Sequence, residues 1–434
     1  MDAAREDSAA ARESREAAGE SREAAGESVE AAYAAEAAAR RSYGKLVAFL
    51  AARTRDVAGA EDALSEAFAS ALSDWPVRGV PASPEAWLLT VARRRMVDGV
   101  RSRVHAEDAA AHLLLLEELA EPADDSGVPD ERLRLMLVCA HPALPANVRA
   151  PLMLQAVLGF DAAAIGSAFL VAPAAMGQRL VRAKAKIREA GIAFEVPPRA
   201  AWPDRLDSVL AAIYAVYAEG WSDAEGTDPQ RRNLADEALW LGRLLANLLP
   251  QEPEAAGLLA LMLHAQARRP ARRNDDGAYV PLAQQDVARW DAALADEAEA
   301  LLLHASRFGV AGRYQLEAAV QSAHAVRRLG QAPDWTAIVT LYAALQALTG
   351  SPLAALNRAV ALAHAGDAQG GLRALEALAD EARLADYQPY WAARADLLTR
   401  VGRKQEAAAA YERAIGLERD PAVRSFLQGR MAAL

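Results

Sequence analysis

Apolar side chains recur at helical spacing along most of this 434-residue chain. Between residues 60 and 72 the apolar positions, among them Leu64, Ala67 and Ala71, lie three and four residues apart, which predicts an amphipathic helix. Several of the remaining positions on this helix are acidic. Alanine is abundant and long stretches lack β-branched residues, so the pattern indicates an all-α protein.

A second helix with a different surface follows. The intervening segment 76–84 contains three prolines and one glycine, so we expect the first helix to break there. Ser83 suits the N-cap of the next helix and Pro84 its first turn. This helix would turn its arginines outward. The positions expected to face inward are Trp87, Leu88, Val91 and Ala92.

A helix pair is predicted further along. Asp161 can cap a short helix over 162–169, and residues 170–172 then make a turn. Pro173 opens a longer, basic helix that reaches about residue 190 and is ended by Gly191. A short helix, a three-residue turn and a basic second helix are typical of a helix-turn-helix.

From Trp202 to the C-terminus the helical periodicity continues in paired segments. The last two pairs have the spacing of tetratricopeptide repeats, with Gly371 and Ala407 at corresponding places about 36 residues apart. The large and small positions of that repeat are occupied by Trp391, Ala395, Leu398, Ala407, Tyr411 and Ala414. We therefore predict a helical-repeat domain at this end.

Charge is distributed unevenly. Residues 1–40 contain five arginines and ten acids and include a seven-residue repeat with no apolar side chain larger than alanine, so we expect residues 1–37 to be disordered. Residues 41–105 have a net charge of +3 and residues 145–190 of +4. Between them, residues 106–131 contain nine acids and no lysine or arginine. Two basic modules are therefore joined by an acidic linker.

Composition excludes several classes of protein. Cys139 is the only cysteine, so an internal disulfide is impossible and a reducing cytoplasm is expected. No apolar run approaches the length of a membrane span, so no membrane partner is expected. The sequence contains no HExxH motif, cysteine pair or phosphate-binding loop, so we expect no metal, no cofactor and no enzymatic activity.

Residues 53–103 resemble region 2 of extracytoplasmic-function sigma factors of bacterial RNA polymerase. The resemblance rests on the acidic helix at 60–68, on Trp75-Pro76 and on the arginine-rich helix from Pro84. It implies that the acidic helix binds the polymerase core through Asp56, Glu61, Asp62, Leu64, Glu66, Ala67 and Phe68. It also implies that the second helix contacts promoter DNA through Trp87, Arg93, Arg94, Arg95, Arg101 and Arg103.

Residues 132–198 resemble region 4 of the same family. The basic helix would lie in the major groove of the promoter, and its expected contacts are Gln178, Arg179, Arg182, Lys184 and Lys186. The sequence departs from the family pattern at 162–164 and at Ala174 and Ala175, where alanines replace polar residues. Two alternatives follow: contacts mainly with phosphates, or loss of promoter recognition.

Residues 199–434 resemble the helical extension carried by one branch of these sigma factors. Its polar residues can either line a pocket or join neighbouring helices, and position 218 is alanine where the family usually has asparagine. The candidate pocket residues are Glu219, Trp221, Arg243, Asp286, Arg289, Trp290, Gln315, Asn357 and Arg358.

Taken together, the resemblance implies a sigma factor that binds core polymerase and promoter DNA, with domains at 38–105, 132–198 and 199–434. The extension would regulate the protein or receive a protein or small-molecule partner. The alternatives are a sigma-like scaffold adapted to bind or convert a small molecule at a pocket involving the extension, and a protein-interaction adaptor that binds no promoter.

Overall fold

The structure is a computed structural model that describes residues 31–35, 38, 42–51, 56–103, 131–169, 171–189, 201–222 and 229–434. Within these ranges the protein is all-α, as the sequence predicted, and its one β feature is an isolated bridge between Arg273 and Tyr279. Most of the predicted disordered segment 1–37 and of the acidic linker 106–131 lies outside the described residues, but residues 31–35 are helical rather than disordered.

The chain divides into two compact units, Met1–Ala212 and Ile213–Leu434. The helices described in the first unit are α1 (residues 42–51), α2 (Val57–Arg78), α3 (Pro84–Arg103), α4 (Glu131–Cys139), α5 (Ala146–Leu158), α6 (Ala162–Ala168) and α7 (Pro173–Glu189), followed by the beginning of α8 (Pro203–Ser222).

Helix α2 begins and ends with defined caps. The carboxylate of Asp56 accepts a hydrogen bond from the backbone N–H of Gly59. The helix breaks within 76–84 as expected, but it continues past Pro76 to Arg78, so the break lies two residues later than the first proline. A proline in the last turn removes only one helical hydrogen bond, and Gly79, with a φ of 79°, ends the helix by donating its N–H to the carbonyl of Trp75.

Helices α2 and α3 pack closely through two tryptophans. The rings of Trp75 and Trp87 meet edge to face with their centroids 5.5 Å apart. Trp75 and Leu88 are fully buried, as is Leu64 on α2. Burial of such large side chains contributes about 1.5–3 kcal/mol each, so this interface fixes how the acidic and arginine-rich helices are presented.

The short helix α6 and the basic helix α7 form as the sequence predicted. Asp161 caps α6 by accepting from the backbone N–H groups of Ala163 and Ala164. The two helices pack tightly at Gly166, where an added Cβ would lie 2.5 Å from the carbonyl oxygen of Val171. The pair is thereby held in one fixed arrangement.

The second unit continues α8 and contains α9 (Pro229–Leu248), α10 (Pro253–Ala267), α11 (Ala292–Ser306), α12 (Arg313–Ala325), α13 (Trp335–Thr349), α14 (Pro352–His364), α15 (Ala368–Glu376), α16 (Gln388–Arg400), α17 (Lys404–Leu417) and α18 (Pro421–Ala432). Short 3-10 turns interrupt the chain between α10 and α11 and follow α12.

Helices α14 to α18 share one apolar core. Most of the positions that sequence spacing selected are buried in it: Ala395, Leu398, Ala407, Tyr411 and Ala414. Gly371 lies where α15 approaches α14, and an added Cβ there would be 2.5 Å from the carbonyl oxygen of Ala359. Glycine at this position allows the two helices to pack at close range.

Candidate nucleic-acid interface

Helix α7 is amphipathic, with a basic and polar outer face. Its inner face buries Met176, Leu180, Ala183 and Ile187. The opposite face exposes four of the predicted DNA contacts: Gln178, Arg179, Arg182 and Lys186. An exposed face with several arginines and lysines provides the charge that binds the phosphate backbone of DNA. Contact with promoter DNA remains a prediction for these residues.

Helix α3 presents a smaller basic surface. Arg94 and Arg95 are exposed, and Arg95 lies 3.4 Å from the carboxylate of Glu66 on α2. Arg93 does not point outward as the sequence suggested. Its guanidinium lies over the ring of Phe49, 5.0 Å from the ring centroid, which is a cation–π contact.

Three predicted DNA contacts remain on this helix: Trp87, Arg101 and Arg103. Trp87 packs against Trp75 and is half-buried. Arg101 and Arg103 lie within α3, but their side chains are outside the described part of the structure.

The acidic helix α2 exposes two of its predicted polymerase contacts. Asp62 and Glu66 face solvent, and Phe68 is half-buried. By contrast, Leu64 and Ala67 are fully buried in the core of the unit. Asp56 is engaged as the N-cap described above.

Glu61 on α2 forms an ion pair with Lys184 on α7. The Nζ of Lys184 donates to Oε2 of Glu61 at 2.5 Å, and the two side chains are only 20 % and 11 % exposed. This pair joins a predicted polymerase contact to a predicted DNA contact across 123 residues of sequence. We call its surroundings the junction, defined by Tyr43, Glu61, Cys139, Val157 and Lys184.

The junction is tightly packed. An added Cβ at Gly44 on α1 would lie 1.6 Å from the carbonyl oxygen of Val157 on α5, so the two helices approach without intervening side chains. Burial raises the pKa of Glu61 above its ordinary value, although the hydrogen bond and charge of Lys184 act in the opposite direction. Burial also raises the pKa of Cys139, and it raises that of Tyr43 to about 12.

In the second unit, most candidate pocket residues join neighbouring elements. Arg243 makes a two-pronged ion pair with Glu297, at 3.1 and 2.7 Å. The guanidinium of Arg289 lies 3.2 Å from Asp275, and Arg358 donates to Gln346.

The candidate pocket residues Trp221, Trp290 and Asp286 also make contacts within the fold. Arg272 stacks over the ring of Trp221 and donates to its backbone carbonyl. Trp290 is buried beneath Arg327. Asp286 caps a 3-10 turn through the N–H of Ala288.

Gln315, Glu219 and Asn357 complete the candidate set. Gln315 is buried and donates to the carbonyl of Val310 and to Glu254. Glu219 is half-buried on α8, and Asn357 lines a cavity.

Two features of the structure were not predicted from the sequence. The Glu61–Lys184 pairing has no signal in sequence spacing. The cavity beside Asn357 is also lined by His324 and His364, which lie far apart along the chain. Within the described residues, no group of three or more histidine, cysteine or acidic side chains is placed to hold a metal. No helix in those ranges is both long and apolar enough to cross a membrane.

Comparison with known proteins finds family matches for two parts of the chain. Residues 39–105 match sigma-70 region 2, and residues 205–306 match a family of unknown function, DUF6596. The uncharacterized protein R00370 of Rhizobium meliloti (strain 1021) is 39 % identical over 375 residues, which cover 85 % of this chain and 88 % of that protein. No solved structure matches the chain.

A second relative carries a functional name. The probable RNA polymerase sigma factor RfaY of Xanthomonas campestris pv. campestris is 31 % identical over 168 residues, which cover 36 % of this chain and 41 % of that protein. The chain thus spans less than half of RfaY. The region 2 match includes both the acidic helix α2 and the arginine-rich helix α3. On these grounds the chain belongs to the family of R00370 and contains a sigma-70 region 2 domain.

Proposed function

We propose that this chain is a dissociable promoter-recognition subunit of bacterial RNA polymerase, of the extracytoplasmic-function type. The observation that carries the proposal is the match to sigma-70 region 2 over the helices with exposed acidic and basic faces. The chain would supply promoter location and strand opening, and the polymerase would supply the chemistry.

The exposed residues of α2 would bind the polymerase core, and those of α3 would contact DNA. Asp62 and Glu66 offer carboxylates to a basic surface of the polymerase core. Arg94 and Arg95 offer guanidinium groups to DNA phosphates near the melted strand. Each phosphate contact adds about 0.9 to the slope of log affinity against log salt, so these contacts have a measurable signature.

Helix α7 would act as the recognition helix of a helix-turn-helix. Gln178 can pair with adenine, and Arg179 and Arg182 can pair with guanine or with phosphate. Alanine at 174 and 175 leaves the first turn of α7 without polar side chains. We therefore expect phosphate contacts to supply most of the affinity of this helix.

The helical domain after residue 199, which we interpret as a tetratricopeptide-like extension, would regulate the first unit in place of a separate anti-sigma protein. Deletion tests this role, and the structure indicates where to cut. Trp202 is buried in the first unit, and Arg205 donates to the carbonyl of Leu137 at 2.8 Å. A chain that ends at Ser222 keeps these contacts and the whole of α8.

The shortened chain should still bind core polymerase but change the level of transcription. Equal transcription from the full and shortened chains would reject the regulatory role.

Run-off transcription is the direct test of the proposed function. Purified core polymerase and DNA from upstream of the chain's own gene should give a discrete start site only when the chain is present. The double variant Arg179→Ala/Arg182→Ala should reduce promoter affinity at least tenfold and lower the salt slope by up to about two. Arg373→Ala, an exposed arginine on α15, is the matched control and should have no effect.

Binding to core polymerase is measured separately. Asp62→Lys reverses one exposed charge on α2, and we expect weaker capture of the polymerase. Asp380→Lys makes the same change at an exposed site in the second unit and should leave capture unchanged. If the chain gives neither a transcript nor polymerase capture, the sigma proposal fails and a repurposed scaffold becomes the better reading.

A further inference from the structure

The second unit contains a cavity of about 460 Å³ that the proposed sigma function does not use. Its walls come from the segment before α11, from the end of α12 and its 3-10 turn, and from α13 and α14. This volume lies within the usual range of about 300–1,000 Å³ for small-molecule sites. Ala283 and Asn357 are its exposed members and lie at its mouth.

One side of the cavity is apolar and aromatic. Pro281, Leu282, Pro333 and Val360 contribute aliphatic surface, and Trp335 and Tyr342 contribute rings. Both rings also pack against a small buried core behind the cavity. Because the core holds them in place, the aromatic surface exists before any ligand arrives, which lowers the entropy cost of binding.

A stack of rings further fixes the position of Trp335. His364 stacks on it with the ring centroids 4.2 Å apart and the planes inclined by 14°, and His324 meets it edge to face at 5.3 Å. The Nη2 of Arg400 lies 3.3 Å from Nε2 of His364. Since arginine can only donate, Nε2 accepts, and the neutral His364 ring therefore carries its proton on Nδ1.

The lining of the cavity contains a positively charged side chain and no negatively charged one. Arg327 is the charged residue of its lining, and the lining includes no aspartate or glutamate. The guanidinium is held by donation to the backbone carbonyls of Leu282 and Gln285, the latter at 2.9 Å, and it lies over the ring of Trp290. These two bonds use two of its five donors.

The histidines do not add to this charge at neutral pH. Burial and the neighbouring arginines lower the pKa of His324 to about 4. Burial also lowers the pKa of His364, followed by the effect of Arg400. The lining therefore carries a single fixed positive charge beside an aromatic wall. That arrangement suits one anionic group attached to an aromatic body and disfavours cations and polyanions.

We propose that this cavity binds an apolar aromatic monocarboxylate, with its ring against Trp335 and Tyr342 and its carboxylate directed toward Arg327. The proposal concerns binding alone and does not depend on the sigma function.

Two probes of nearly equal size and opposite charge test the charge preference. Naphthalene-2-carboxylate is titrated into the full chain by isothermal calorimetry, and naphthalen-2-ylmethylammonium is titrated in parallel. For a ligand of this size a dissociation constant on the order of 0.1 mM is expected for the carboxylate. The ammonium should bind at least tenfold more weakly. Equal or tighter binding of the ammonium, or no saturable binding of the carboxylate, would overturn the proposal.

Two substitutions locate the site without removing its supporting contacts. Asn357→Asp places a carboxylate of the same shape at the mouth and should weaken naphthalene-2-carboxylate at least tenfold while strengthening the ammonium. Asn247→Asp makes the same change at an exposed position on α9 and should alter neither affinity. If the two variants behave alike, the ligand binds elsewhere.

A filling variant provides an independent check. Val360→Trp introduces a large side chain into the cavity and should abolish binding of the carboxylate. Hydrogen exchange in α16 and α17 should be unchanged in this variant, which shows that the domain remains folded. Full binding in folded Val360→Trp would also reject the site. These titrations contain neither polymerase nor DNA, so their failure leaves the sigma proposal intact.

Discussion

Replacing Lys184 by methionine should loosen helix α7 from the rest of the first unit. Methionine keeps the unbranched stem and the helix propensity of lysine but removes its charge. The carboxylate of Glu61 would then be buried without the cation that now lies 2.5 Å away. The variant therefore tests whether this ion pair holds the junction together.

The expected loss follows from the burial of the pair. Removing one partner of a fully buried ion pair costs about 3–5 kcal/mol, because the other charge remains without compensation. The Glu61 and Lys184 side chains keep 11 % and 20 % of their exposure, so solvent screens part of this cost. We expect the free energy of opening α7 to fall by about 2 kcal/mol at pH 7.5, or roughly a 30-fold increase in the open population.

The loss should depend on pH in a defined direction. Burial raises the pKa of Glu61 above the ordinary value of 4.5, and Lys184 opposes this shift. A raised carboxyl pKa means that the native state binds more protons than the unfolded state, so the contribution of this group is lost as pH rises through the native pKa. Without Lys184 the pKa of Glu61 rises further. More of the carboxyl is then protonated at pH 5 than at pH 7.5, so the variant should lose less stability relative to the original chain at pH 5.

Hydrogen exchange measured by mass spectrometry on peptides from α7 provides a local readout in the full chain. Exchange should be faster in Lys184→Met than in the original chain at pH 7.5, with a smaller difference at pH 5 after correction for intrinsic rates. The double variant Glu61→Gln/Lys184→Met should recover at least half of the loss. If the loss is equal at both pH values, or if the double variant loses as much as the sum of the single variants, the pair does not stabilise the junction.

Three further predictions concern other parts of the fold. Gly44→Ala should destabilise α1 by about 2 kcal/mol or more, because the added Cβ would clash with the carbonyl of Val157. Gly429→Ala has open space around it and should stabilise α18 by up to about 1 kcal/mol. Peptide-resolved hydrogen exchange measures both variants, and equal effects would contradict the close approach of α1 to α5. Cys139 should react with iodoacetamide at pH 8 roughly 100-fold more slowly in the native chain than in urea, because burial raises its pKa; equal rates would show that the thiol is accessible. The free energy of unfolding of the second unit should fall as pH falls from 6.5 toward 4. His324 has a native pKa of about 4, so the unfolded chain takes up the proton first. If a His324→Gln variant shows the same dependence of stability on pH, His324 is not the cause.

Local features of the fold were predictable because they depend on neighbouring residues. The cap at Asp161 and the helix start at Pro173 follow from side-chain chemistry within one turn, and the structure confirms both. The helix end near Pro76 was predicted two residues too early. Proline in the last turn loses one hydrogen bond, and the apolar packing of Trp75 is sufficient to keep that turn helical.

Pairings between distant residues were not predictable from periodicity. Helical spacing assigns Glu61 and Lys184 to faces of their own helices, but it does not identify the partner that each face meets. The same limit applies to the cavity. His324 and His364 are both brought into contact with Trp335 only by the packing of α12, α13 and α14. Neither residue has a neighbour in sequence that indicates a site.

Family position and physical exposure provide different information about the proposed interfaces. When site residues are inferred from a family resemblance, every side chain at a matching position is assumed to be accessible to a partner. In this fold Leu64 and Ala67 are buried in the core, so substitutions there would reduce polymerase binding by destabilising the unit. Exposed residues such as Asp62 and Arg182 can be changed without that loss. Mutagenesis of the exposed residues is therefore the test that separates a binding role from a structural one.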